Sequence, residues 1–127
     1  MIKDFYTILS HQQESDTMHR FEVELNPHCE VYKGHFPEKA IAPGVCNIEM
    51  IKECALKAMN SETNLLMGNI RTCQMIQVVD PLSTPQMLLT IEFTKKEDGK
   101  QEFVGIILHD EVPYMKMKAS LINPQVK

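Results

Sequence analysis

The sequence predicts an α+β domain, with one helix early in the chain and a run of antiparallel strands after it. Three observations predict this. Only the stretch from Pro43 to Met59 keeps apolar residues at helical spacing over several turns. Apolar and polar residues alternate one by one from Phe21 to Leu25 before it and from Tyr114 to Ile122 after it. No strand–helix–strand unit repeats, which argues against a doubly wound parallel sheet. A curved antiparallel sheet wrapped around the one apolar helix would bury that helix well.

The elements follow in order. Phe5 to Leu9 is apolar-rich and fits either a first strand or a short helix, and Glu14-Ser15-Asp16 reads as a turn. From Thr17 to Leu25, Phe21, Val23 and Leu25 share one face while Glu22 and Glu24 share the other, the signature of a half-buried strand. Asn26-Pro27 ends it. Residues His28 to Ala42 keep no period and are flanked or interrupted by Pro27, Pro37 and Pro43, so they read as an ordered loop of the kind that carries chemistry. Pro43 opens the helix, where its missing N–H costs no hydrogen bond. Val45, Ile48, Ile51, Cys54, Ala55, Ala58 and Met59 form its stripe, widened by Met50 and Leu56. Lys52, Glu53 and Lys57 stay on the wetter side, and Glu49 lies beside the stripe. Leu65 to Val79 reads as a long strand with Gly68-Asn69 as a bulge or bend. Met87 to Thr94 and Phe103 to His109 flank Asp98-Gly99, the strongest turn signal in the chain. Tyr114 to Ile122 alternates Met115, Met117, Ala119 and Leu121 against Tyr114, Lys116, Lys118 and Ser120.

Length and composition narrow the function classes. A chain of 127 residues is expected to build one domain around one core, which excludes a TIM barrel or a six-stranded dinucleotide fold. With 43% hydrophobic and 24% charged residues, burial can offset chain entropy, so wholesale disorder is excluded. The net charge of −4 comes without a long basic run, which makes nucleic acid a poor partner; Lys95-Lys96 reads as a solvated turn. Cys29, Cys46, Cys54 and Cys73 form no CxxC pair and fit no zinc module, so buried reduced thiols are expected. The N-terminus lacks an apolar signal core and no stretch reaches 18 uninterrupted apolar residues; the expectation is a cytoplasmic protein without a membrane span. Nine Met and only 6% aromatics mean that thioethers fill volume elsewhere taken by rings, either as plain core or against a flexible apolar ligand.

One combination stands out: Gly34-His35-Phe36-Pro37, then Pro43-Gly44-Val45, then Glu49. Singly, each residue has a dull account. A His between Gly and Phe-Pro is more often structural than catalytic, Glu49 fits a helix surface, and Gly44 relieves crowding at a helix start. Together, the stretch GHFPEKAIAPGVCNIE, residues 34 to 49, resembles the 3-hydroxyacyl-acyl-carrier-protein dehydratases of the hotdog fold. That family carries glycine-histidine-phenylalanine-proline, a short loop, proline-glycine-valine, and an acidic residue fourteen positions after the histidine, the separation of His35 and Glu49. The likeness is sharpest over residues 26 to 60, with a weaker echo around Gly68.

The resemblance implies a hotdog fold, a curved antiparallel sheet around a central helix. It implies that His35 is the catalytic base and Glu49 the acidic partner, and that backbone N–H groups of Gly44 and Val45 hold the thioester oxygen. Gly34, Phe36, Pro37 and Pro43 shape the loop, and Gly68 borders the substrate channel. The reaction implied is loss of water from a 3-hydroxyacyl thioester on acyl carrier protein, giving the trans-2-enoyl thioester. The substrate rides the phosphopantetheine arm of the carrier, and the chemistry requires no metal or organic cofactor. Relatives share their sites across a subunit interface, so a homo-oligomer, at least a dimer, is implied.

The chemistry is coherent on its own terms. An imidazole with an intrinsic pKa near ~6.5 serves as base for the C2 proton. A carboxyl beside an apolar stripe is expected to have a raised pKa, suited to protonating the C3 hydroxyl. Free N–H groups at the helix start stabilise charge on the thioester oxygen. The chain departs from the family at Glu38, Ala40 and Glu53, where relatives carry glycine, proline and glutamine. These departures bear on substrate and partner, and point to a specialised, polyene-type pathway rather than bulk fatty acid synthesis. His28 reads as a surface residue near the loop, Cys46 as a small buried residue, and His11, His19 and His109 show no partner spacing. Two other classes fit the same fold: a thioesterase using a carboxylate and water, and a non-catalytic subunit of an active partner.

Overall fold

The structure is a computed structural model and describes residues 5–26, 44–59, 66–77, 79, 85–97 and 100–122. Six strands and one helix run in the order β1 (Tyr6–Gln13), β2 (Met18–Leu25), α1 (Gly44–Met59), β3 (Leu66–Met75), β4 (Gln86–Glu97), β5 (Lys100–His109) and β6 (Val112–Ile122). All pairings are antiparallel, and the strands lie in one sheet in the order β1-β2-β4-β5-β6-β3.

The first hairpin closes where the sequence carries Glu14-Ser15-Asp16. Ser15 Oγ accepts from the backbone N–H groups of Thr17 and Met18, and Glu14 N–H donates to the Met18 carbonyl at 2.9 Å. The apolar opening is a strand, longer than Phe5–Leu9, and a bulge at Leu9 shifts its alternation, so that Tyr6 and Ile8 before it and His11 and Gln13 after it stand opposite the buried residues of β2. In β2 every second residue from His19 to Leu25 is buried, as alternation requires. Glu97 pairs with Lys100 across the predicted hairpin, whose residues 98 and 99 lie outside the described set. Lys95 and Lys96 are exposed residues of β4, not of a turn: the strand twists on past Phe93 through a register shift. The β5–β6 hairpin turns on Asp110 and Glu111, both at positive φ (50° and 66°), which fits the right-handed twist of its strands.

The helix lies against the inner sheet face and touches β4 and β5 most heavily. Phe21, Leu89, Ile91, Phe103, Ile107 and Met117 are fully buried there against Met50, Ile51, Cys54 and Ala55. Gly105 sets the closest approach. A Cβ at that position would overlap Ile51 Cγ2 and lie 3.4 Å from Ile91 Cδ1, so the missing side chain lets the helix sit down on β5. The buried helix face differs in phase from the predicted stripe. It is centred on Asn47, Met50, Ile51 and Cys54, and Ile48 is only half-buried. Asn47 hid this phase, because a polar residue in the centre of an apolar face breaks the pattern.

The sheet is wider than the helix. In β3 the residues opposite buried Ala119, Met117 and Met115 are Ile70, Cys73 and Met75, and all three are exposed. Ile70 and Met75 are 42% and 51% exposed, and Ile76 just beyond the strand is 43% exposed. Cys46 and Cys54 are buried and in no disulfide, but Cys73 is exposed because it lies on this uncovered strip; Cys29 lies outside the described residues. Among the described residues, no helix is long and apolar enough to cross a membrane.

Candidate active site

The helix begins at Gly44, directly after Pro43, as the sequence pattern places it. The first backbone N–H groups of a helix have no partner within it and carry the positive end of its dipole. Gly44 and Val45 therefore put an electropositive backbone edge at one end of α1, without an acidic side chain in the first turn to offset it. Gly34, His35, Phe36, Pro37 and Pro43 lie outside the described residues, as do His28, Glu38 and Ala40.

Glu49 stands on the second turn, on the side of α1 turned away from the sheet. Its side chain is 30% exposed, and its carboxylate lies 3.6 Å from the Lys52 ammonium one turn on. The carboxyl expected beside an apolar stripe is thus ion-paired on the helix flank, because the buried face is rotated toward Asn47 and Met50. Glu53, expected on the wetter side, is half-buried. Its Oε1 accepts the Tyr6 hydroxyl at 2.7 Å, which ties α1 to β1, and its Oε2 is buried without a hydrogen-bond partner. Burial, together with the neighbouring Cys54 and Glu53, raises the Tyr6 pKa well above the ordinary phenol range. Burial pushes the Cys54 thiol up to about 12, against a smaller lowering by the neighbouring Tyr6 hydroxyl. Neither group is a nucleophile at neutral pH.

Asn47 is the residue that the sequence reading missed. It is 0% exposed, and neither its Oδ1 nor its Nδ2 has a hydrogen-bond partner. Leaving a buried polar group unpaired costs about 1–3 kcal/mol, so native proteins rarely keep one without use. The available signal was its spacing, one turn before Ile51 and two turns before Cys54, at the centre of the buried face. Gly68 packs against β6: a Cβ there would lie 2.6 Å from Ser120 Oγ and 2.9 Å from Ile122 Cγ2. The structure also joins two histidines that showed no partner spacing. His11 Nε2 lies 2.9 Å from His19 Nδ1, at the opposite end of the sheet from the helix start.

A family model described as ApeI dehydratase matches residues 10–107. The chain belongs to the ApeI-like family. Its fold is the α+β hotdog fold, with the antiparallel sheet wrapped around the central helix. Solved structures agree on that fold. The dehydratase heterocomplex ApeI:P from Xenorhabdus doucetiae superposes with a TM-score of 0.72 at 19% identity, covering 92% of this chain and 97% of that one. An uncharacterised protein from Erwinia carotovora gives 0.67 at 17% identity, over 94% and 97% of the two chains. A thioesterase from Pseudomonas aeruginosa gives 0.65 at 7% identity, over 91% and 79%. No curated protein matches the sequence. The ApeI-like match runs from within β1 to within β5 and includes the whole of α1 and residues 27–43 before it, so the residues singled out by the sequence pattern fall inside the family's own boundaries.

Proposed function

We propose that this ApeI-like protein dehydrates a 3-hydroxyacyl thioester carried by acyl carrier protein to the trans-2-enoyl thioester. Membership of a dehydratase family carries the reading. The pattern from Gly34 to Glu49 and a helix starting at Gly44 support it.

In this reading His35 removes the C2 proton. The charge that develops on the thioester oxygen is held by the backbone N–H groups of Gly44 and Val45, while Glu49 protonates the departing C3 hydroxyl. One water leaves and a C2–C3 double bond forms. Gly34, Phe36, Pro37 and Pro43 set the path of the histidine loop, and Gly68 lets the channel strand close on β6. The site belongs to a homo-oligomer, at least a dimer. The uncovered inner strip of β3, with Ile70, Cys73 and Met75 exposed at a sheet edge, is the apolar surface that a second copy would bury. The Xenorhabdus protein is a heterocomplex, and a related partner subunit is the variant of this assembly that the same experiments detect. We also place the protein in a specialised, polyene-type pathway, on the departures at Glu38, Ala40 and Glu53.

The deciding experiment incubates the protein with 3-hydroxybutyryl carrier protein and reads the carrier by mass spectrometry. A product about 18 Da lighter that stays on the carrier is the expected result for loss of one water across C2–C3. Release of free acid would instead assign a thioesterase. The His35→Ala variant should lose at least ~100-fold in turnover with its fold intact, and a fully active variant would remove His35 from the mechanism.

A further inference from the structure

Strand β5 is apolar on both faces. Phe103 and Ile107 are buried on the inner face, while Val104, Ile106 and Leu108 alternate with them on the outer face and are half-buried. Leu88 of β4 pairs with Leu108 and widens the outer strip. An antiparallel sheet with one solvated face reads apolar inward and polar outward, whereas a strand apolar on both sides is one that is covered on both sides. Helix α1 covers the inner side, and among the described residues no helix or strand packs on the outer one.

The charges beside this strip are sorted. Glu92 of β4 stands opposite Val104, and Val104 stands opposite Lys118 of β6, so one row across the sheet reads acid, apolar, base. Lys116 extends the basic side beside Ile106, and Glu22, opposite Leu88, extends the acidic side. Glu92 and Lys118 are both exposed, and among the described residues neither has an ion pair within the chain. Two strand spacings, about 9.6 Å, hold their backbones apart. Glu102, the acid on β5 itself, is already taken by Arg71 at 2.8 Å.

We propose that the outer face of β5 is an interface with a second copy of this chain, related by a two-fold axis that runs over β5 parallel to the strand. Rotation about that axis exchanges the two sides of β5 and keeps position along it. Val104, Ile106 and Leu108 then each meet their own copies, and Glu92 of each chain faces Lys118 of the other, twice by symmetry. A two-fold axis across the strands, centred on Ile106, would instead set Glu92 over Leu88 of the other chain, so the charge pattern selects the first. Two antiparallel sheets packed face to face with nearly aligned strands form an ordinary sandwich. The β3 strip lies on the inner face at the edge of the sheet, two strands from β5, so both surfaces can be occupied at once and two edge-paired dimers would join back to back. The proposal stands whether or not the chain is a dehydratase.

Sedimentation equilibrium of the full chain reads the number of copies in the assembly. Wild type should hold an even number, and Ile106→Glu should halve it, because each new carboxylate meets its own copy at the axis. Glu92→Lys sets lysine against Lys118 and should weaken the same association by at least ~10-fold. Combining Glu92→Lys with Lys118→Glu restores both pairs with their signs exchanged and should return the association close to that of wild type. Circular dichroism checks that the variants keep their sheet, and the charge reversals stand at exposed positions, so the comparison survives a misfolded Ile106→Glu chain. A monomeric wild type, or a charge-swapped double variant that associates no better than Glu92→Lys, would overturn the proposal. An assembly left whole by Ile106→Glu and Glu92→Lys alike would also overturn it, and would give the outer strip to a partner of different sequence.

Discussion

His11 and His19 stand on neighbouring strands, and one imidazole N–H donates to the other ring nitrogen at 2.9 Å. His11 stacks on Phe21 at 4.1 Å, and His19 meets the edge of Phe93 at 5.7 Å. His19 is 5% exposed, so burial lowers its pKa below the usual 6.5, and the neighbouring His11 lowers it further. Two protonated rings would also place N–H against N–H. The unfolded chain takes up a proton near pH 6.5 that the folded chain refuses. Stability is therefore full above that value and falls as pH drops toward the lowered folded pKa, by up to about 1.4 kcal/mol per pH unit. Urea unfolding between pH 7.5 and 5 should show a steeper loss in wild type than in His19→Gln, which keeps a hydrogen-bonding side chain but cannot charge. Equal slopes would show that the pair binds the same protons folded and unfolded. The pair was illegible in the sequence because its two members are joined by strand pairing rather than by spacing along one element.

At the scale of elements, β5 and α1 are fitted through one missing side chain. Gly105 occupies an inner position between Ile91 and Met117, and Ile51 fills the space above it. Gly105→Ala should cost about 1–3 kcal/mol through overpacking. Ile51→Ala in the same chain should recover part of that, so the double variant is less destabilised than the sum of the singles. Denaturant midpoints of the four proteins measure the coupling, and strictly additive losses would mean that the helix rides above β5 without touching it. The strands were legible from their alternation, and the helix from its period and its opening proline. The phase of the helix was not, because Asn47 reads as polar while it behaves as core. The bulges in β3 were anticipated at Gly68-Asn69; the one beyond Ile70 was not, since nothing in Arg71-Thr72 distinguishes a bulged from a regular strand.

For the whole molecule, the imbalance between a broad sheet and a single helix matters most. The helix covers the inner face over β4 and β5, while β3 ends the sheet with Ile70, Cys73 and Met75 uncovered. The motif from Gly34 to Glu49 was readable as a linear string; the strip that completes the picture was not, because it becomes apolar surface only once the width of the sheet is known. If two copies meet along β3 and each active site takes His35 from one subunit and Glu49 from the other, then His35→Ala and Glu49→Gln chains should each be inactive alone yet complement one another. In an equal, fully exchanged mixture half of the dimers are mixed and each holds one intact site, so activity should return to about a quarter of wild type. Native mass spectrometry confirms the exchange, and turnover of 3-hydroxybutyryl carrier protein reads the recovery. Mixed dimers without activity would place His35 and Glu49 in the same subunit, and the exposed strip on β3 would then serve assembly alone.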